Sequence, residues 1–109
     1  MRAVLPPDDS RDPRPVLGEL ADPVPREGEL LLTVRAAGLN HADLLQLRGQ
    51  YPPPPGESEV PGLECAGVVE ALGPETSCFR PGDRVMAVLA GGAQATTAAA
   101  PVVQVMPLP

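Results

Sequence analysis

The chain has no tryptophan, and its 109 residues hold one tyrosine (Tyr51) and one phenylalanine (Phe79). A core without rings gives up the large area that each buried aromatic supplies, so packing falls to Val, Leu and Ala. Lysine and isoleucine are absent as well, and all eight basic residues are Arg, a pattern that reads as coding bias rather than chemistry. The formal net charge of -6 leaves no basic face and argues against nucleic acid as a partner. No apolar run approaches the eighteen or so residues of a membrane-spanning helix, so no membrane partner is expected. The opening Met1-Arg2-Ala3-Val4-Leu5-Pro6-Pro7 is broken by proline too early for a signal peptide. Cys65 and Cys78 form no CxxC and no metal-ligand spacing. Two unpatterned cysteines without an export signal are most simply reduced thiols in the cytoplasm. The glycine-rich turn that cradles a dinucleotide is also missing: Gly91-Gly92 opens no helix and has no third glycine at the right spacing.

What is present fits one domain with a thin core. The 16 Pro and 11 Gly amount to about a quarter of the chain, close to the range of disordered sequences, but alternating apolar runs from Glu29 onward argue for a fold. Arg2 to Leu5 reads as a short strand, Pro6 to Pro15 as a surface loop, and Val16 to Leu20 as a partner for the first strand. Glu29 to Ala37 is the clearest strand. Leu30, Leu32 and Val34 fall on one face, and Leu31, Thr33 and Arg35 on the other.

Asn40 is placed to cap a short helix, with its side-chain oxygen on a first-turn N–H and Asp43 three residues on as in a capping box. Asp43 also suits the positive end of the helix. Leu44, Leu45 and Leu47 fill that helix and Gly49 stops it. The prolines after Tyr51 favour a stiff extended segment. Further strands are expected over Cys65 to Leu72 and Val85 to Leu89, separated by a turn at Arg80-Pro81-Gly82-Asp83, with weaker strand pieces in Ala95 to Val105. Short strands broken by Gly/Pro turns, with little helix, indicate a mainly β fold, a small barrel or sandwich.

Four passages come in a telling order: a strand running into AAGLNHAD (36–43), RGQYPPPPG (48–56), VPGLECAGVV (60–69) and PGDRV (81–85). Together they resemble the N-terminal domain of the medium-chain dehydrogenase/reductase superfamily, and within it the zinc-free quinone oxidoreductases of the zeta-crystallin type. The resemblance covers roughly residues 29 to 92. It implies a GroES-like fold, a partly open β-barrel with one or two short helices, over residues 1–109 and incomplete at its C-terminal end. The Rossmann domain of the family is not in this sequence. Near the end, where relatives tend to place an aromatic in a strand, the chain reads Ala95-Thr96-Thr97-Ala98.

In the zinc alcohol dehydrogenases that share this domain, a cysteine stands at the place of Asn40 and a histidine at that of Leu63. Neither residue here is a good zinc ligand, and Ala42 has no hydroxyl for their proton relay. The resemblance therefore implies NADPH as cofactor and no zinc. Hydride would pass from NADPH to a small-molecule quinone, or another activated carbonyl or alkene, in a cleft between two domains. The full-length family implies a homodimer. Asn40 and Tyr51 would lie toward the cofactor, and Tyr51 and Asp43 would serve as catalytic residues of the cleft. A chain of 109 residues alone would then be inactive. Without the family, Asn40 and Asp43 read as a helix cap, Tyr51 as a packing residue, Glu64 as a structural carboxylate bonded to backbone, and Cys65 as core. His41 has no visible nucleophile or orienting partner. A zinc-free enoyl reductase domain and a non-catalytic GroES-like binding module remain as alternatives.

Overall fold

The computed structural model describes residues 1–7, 11–12, 14–50 and 52–109. Strands β1 (Arg2–Leu5) and β2 (Val16–Glu19) pair antiparallel, as their alternation predicts, with Ala3 opposite Gly18. The main sheet has five strands: β3 (Glu29–Ala37), β4 (Glu64–Leu72), β5 (Arg84–Val88), β6 (Thr97–Pro101) and β7 (Val105–Pro107). Their order across the sheet is β6-β3-β4-β5-β7, and the described neighbours are antiparallel. The sheets do not close into a complete barrel. Among the described residues, one α-helix, α1 (His41–Leu47), lies between β3 and β4 in the chain, and one 3-10 turn (Val102–Gln104) separates β6 from β7. This is the mainly β, partly open form expected. The stretch that gave the weakest signal resolves into two strands rather than loose pieces.

The core follows from strand alternation. Leu30 and Leu32 of β3, Cys65 and Val69 of β4, Val85 and Ala87 of β5, and Ala98 and Ala100 of β6 turn to one side and are buried together. Phe79 packs only at the margin. The β3 faces match their sequence pattern: Leu30, Leu32 and Val34 meet the core, while Arg35 is exposed.

Two glycines permit backbone contacts that a side chain would block. Gly67 in β4 lies directly against the β3 backbone at Thr33. Gly62, at φ 113, packs on Ala93 and the backbone of Gln94. The segment 60–63 thus runs beside 89–94 with a ladder of its own. Leu89 N–H donates to Leu63 O (2.7 Å), Gly92 N–H to Val60 O (2.8 Å), and Gln94 N–H to Pro61 O (3.0 Å). The Pro-Gly-Leu passage exists to make this approach. Farther along, Asp83 closes the Arg80–Asp83 turn by accepting from the Arg80 N–H at 2.9 Å.

Gly67→Ala should therefore cost about 1–3 kcal/mol, the usual penalty of forcing extra volume into a packed site. Chemical denaturation checks it. An unchanged midpoint would mean that β3 and β4 have slack at Thr33.

Candidate functional site

The site is built where β3 ends. Gly38 N–H donates to Glu64 O (3.1 Å), which fixes the exit of β3 against the start of β4. Asn40 is extended (φ -131, ψ 157) and α1 begins at His41. The capping box expected from sequence forms, with its firm bond on the Asp43 side: Asp43 Oδ2 accepts the Asn40 backbone N–H at 2.8 Å. The helix stop also forms as read. Gly49 is left-handed (φ 74), its N–H reaches Gln46 O at 3.0 Å, and Gln50 N–H reaches Leu45 O at 2.8 Å. This is the double closure of a Schellman end.

Asp43 is only 4% exposed. A carboxylate so deep needs partners. The second one is Gln94, from the loop between β5 and β6, whose Nε2 donates to Asp43 Oδ2 at 2.9 Å. Gln94 is anchored in turn through its backbone, where its N–H meets Pro61 O and its carbonyl accepts from Val4 N–H at 2.9 Å. One residue thus ties together β1, α1 and the 60–63 segment. Asp43 Oδ1 has no hydrogen-bond partner among the described residues.

Beside this cluster lies a cavity of about 710 Å³, within the usual range of small-molecule sites. Val4, Pro15, Leu39, Leu44 and Leu47 form its apolar walls, and its polar lining comes from Asn40, Asp43 and Gln94 together with the two arginines Arg14 and Arg48. Leu39 is 85% and Leu44 49% exposed. Sequence reasoning gave Leu44 to the helix packing; the structure puts it on the cavity. Such a site can hold an apolar body and orient it through a few polar atoms.

The structure brings Asn40 and Asp43 together at this cavity. Tyr51 lies outside the described residues. His41 is exposed and has no partner among the described residues. The Glu64 side chain corrects its expected role: it is exposed, lies over Gly38, and makes no hydrogen bond among the described residues. Cys65 is a core residue as read, and burial pushes its thiol pKa up, so it stays protonated. Leu63 is half-buried and offers no donor atom, and among the described residues no group of three or more His, Cys, Asp or Glu could hold a metal ion. No helix among the described residues is long and apolar enough to cross a membrane. Gln94 is the member that sequence reading missed. Its one signal is a long polar side chain set in the small-residue run GGAQATTAAA.

Asp43→Ala removes the acceptor of both the Asn40 and Gln94 bonds and should cost about 1–3 kcal/mol. Thermal unfolding checks this. A variant as stable as the parent would mean that the cluster does not hold α1 in place.

The model of the alcohol dehydrogenase GroES-like domain matches residues 26–109. The synaptic vesicle membrane protein VAT-1 homolog-like of Mus musculus is 43% identical over 93 residues, covering 85% of this chain and 22% of that protein. The crystal structure of the human VAT-1 homolog-like protein superposes with a TM-score of 0.85 at 40% identity, covering 100% of this chain and 35% of that one. The Escherichia coli quinone oxidoreductase complexed with NADPH gives a TM-score of 0.82 at 28% identity, covering 99% of this chain and 33% of that one. The chain thus spans between about a fifth and about a third of the length of these relatives. The matched region takes in β3 through β7 and the whole Asn40–Asp43–Gln94 cluster apart from Val4. The chain belongs to the alcohol dehydrogenase GroES-like domain family, within the medium-chain dehydrogenase/reductases.

Proposed function

We propose that this domain forms the acceptor side of an NADPH-dependent quinone oxidoreductase of the zinc-free branch. The observation that carries the reading is the apolar cavity at the start of α1, with Asn40 and Asp43 on its polar side. Its volume suits a ring compound, and its leucine side chains offer such a ring an apolar surface. The likeness to a quinone oxidoreductase complexed with NADPH supports the cofactor and the acceptor class. NADPH, when bound, supplies the hydride; the domain's part is to position the acceptor.

The donor set favours the zinc-free branch. An amide at 40 and an aliphatic chain at 63 replace the thiolate and imidazole that zinc prefers. Asn40 and Tyr51 are assigned to the cofactor side, and Tyr51 and Asp43 to the acceptor. A reducing, cytoplasmic setting fits the buried free thiol of Cys65. In the full-length relatives' arrangement the enzyme would act as a homodimer.

The 109-residue chain by itself should not turn over NADPH, because its sequence holds no glycine-rich dinucleotide turn. The reading is tested by grafting residues 26–109 in place of the matching domain of the Escherichia coli enzyme. The hybrid should reduce duroquinone with NADPH and should retain no stoichiometric zinc after dialysis against a chelator. A folded hybrid without turnover would count against the quinone assignment, and tightly held zinc against the zinc-free one. In the active hybrid, Tyr51→Ala should lower kcat/KM about 5- to 150-fold, the effect of losing a cleft contact of about 1–3 kcal/mol. A large fall in melting temperature with near-normal rates would place Tyr51 in the core instead.

A further inference from the structure

We propose that the outer edge of β6 takes up an extended, basic segment of a partner protein, which adds to the main sheet as a sixth strand. Three observations carry this: the hydrogen-bond phase of β6, the cleft along its edge, and the charge of that cleft.

In an antiparallel ladder, alternate residues of a strand turn both backbone groups to the same neighbour. Val34 N–H donates to Thr96 O at 3.0 Å, and Val102 N–H donates to Gly28 O at 2.8 Å. Ala98 and Ala100 fall in the same phase, opposite Leu32 and Leu30. The backbone groups of Thr97 and Ala99 therefore turn away from β3. No strand pairs with that side of β6, and these groups have no hydrogen-bond partner among the described residues. The other edge of the sheet is built differently. On β7, Leu108 N–H donates to Arg84 O at 3.0 Å and Met106 stands opposite Met86, so Val105 and Pro107 turn outward. The Val105 N–H is taken by Val102 O, and proline has no N–H. The β7 edge thus offers a further strand no donor, which is how exposed edges are commonly protected. The β6 edge keeps two.

The β6 edge opens into a cleft of about 300 Å³. Thr97 and Ala99 line it and are half-buried, and Gly91 and Gly92 line it as well. An edge recessed in this way shuts out the β6 of a second copy, which lies in a cleft of its own. A single extended segment fits, with backbone bonds to hold it and alternate side chains to select it. The charge of the cleft sets the chemistry of that segment. Arg26 is engaged by Glu29 at 3.3 Å, whereas Glu57 has no ion pair among the described residues. A carboxylate is left over, on a chain whose net charge is -6. Basic residues on the incoming strand complement it.

The test is an NMR titration of the isotopically labelled 109-residue chain with the peptide acetyl-Arg-Thr-Val-Thr-Val-Thr-Arg-amide. The Thr97 and Ala99 amide signals should move, and their hydrogen exchange should slow about tenfold or more at saturation. Ala99→Pro removes one outward donor and spares every bond to β3, so it should weaken binding about tenfold with little change in melting temperature. The same peptide N-methylated at the alternate amides that face β6 should not bind. That comparison needs no variant, and it decides alone if Ala99→Pro fails to fold. Glu57→Gln should weaken the arginine peptide and leave a peptide with serine in place of arginine unaffected. No protection of Thr97 and Ala99, or equal binding of the N-methylated peptide, overturns the inference. Protection that appears without peptide and grows with protein concentration also overturns it, because a second copy is then the occupant. Unchanged affinity in Glu57→Gln overturns the choice of a basic partner.

Discussion

The antiparallel pairing of β3 with β4 is the constraint on which the rest of the molecule depends. These are the two nine-residue strands, and they occupy the middle of the sheet. Leu30, Leu32 and Val69 form the buried centre, and β6 and β5 add to either side. With almost no aromatic residues, the core has to gain its stability from close approach, and apolar burial at about 25 cal/mol per Å² rewards only surfaces that truly meet. Gly67 against Thr33 is one place where the chain achieves that closeness. The register also sets the site. It places the end of β3 beside Glu64, so the chain must turn at Gly38 and start α1 there.

The polar cluster is a consequence of this frame. Asp43 serves the helix by accepting from Asn40, and burial then demands a second donor for the same carboxylate. Gln94 fills that need only because the 89–94 segment is held along 60–63. One side chain therefore joins helix stability to the shape of the cavity. Asn40 and Asp43, which cap the helix, also line the cavity.

Much of the fold was legible because its signals are local. Alternation marks β3, Asn40 and Asp43 mark the start of α1, Gly49 marks its end, and Pro81-Gly82 marks a turn. The β6–β7 region was less so, since small residues such as Ala98, Ala99 and Ala100 carry little strand preference and become a strand only against β3. The expected hydrogen bond for Glu64 failed for a related reason: local sequence shows a charge near an apolar run but not which way the strand turns it. Spacing alone marks Asn40 and Asp43 as a helix cap, their place in a site is implied only by the family resemblance, and nothing local marks Gln94.

The sequence by itself determined the places of β3, β4, β5 and α1, the family, and the absence of thiolate and imidazole at positions 40 and 63, because each is a property of residues near one another in the chain. Only the tertiary structure decided that Gln94 meets Asp43 across 51 positions and that Leu39 and Leu44 face a cavity rather than the core. Those facts depend on how separated segments pack and on which hydrogen-bonding groups remain after packing has used the others.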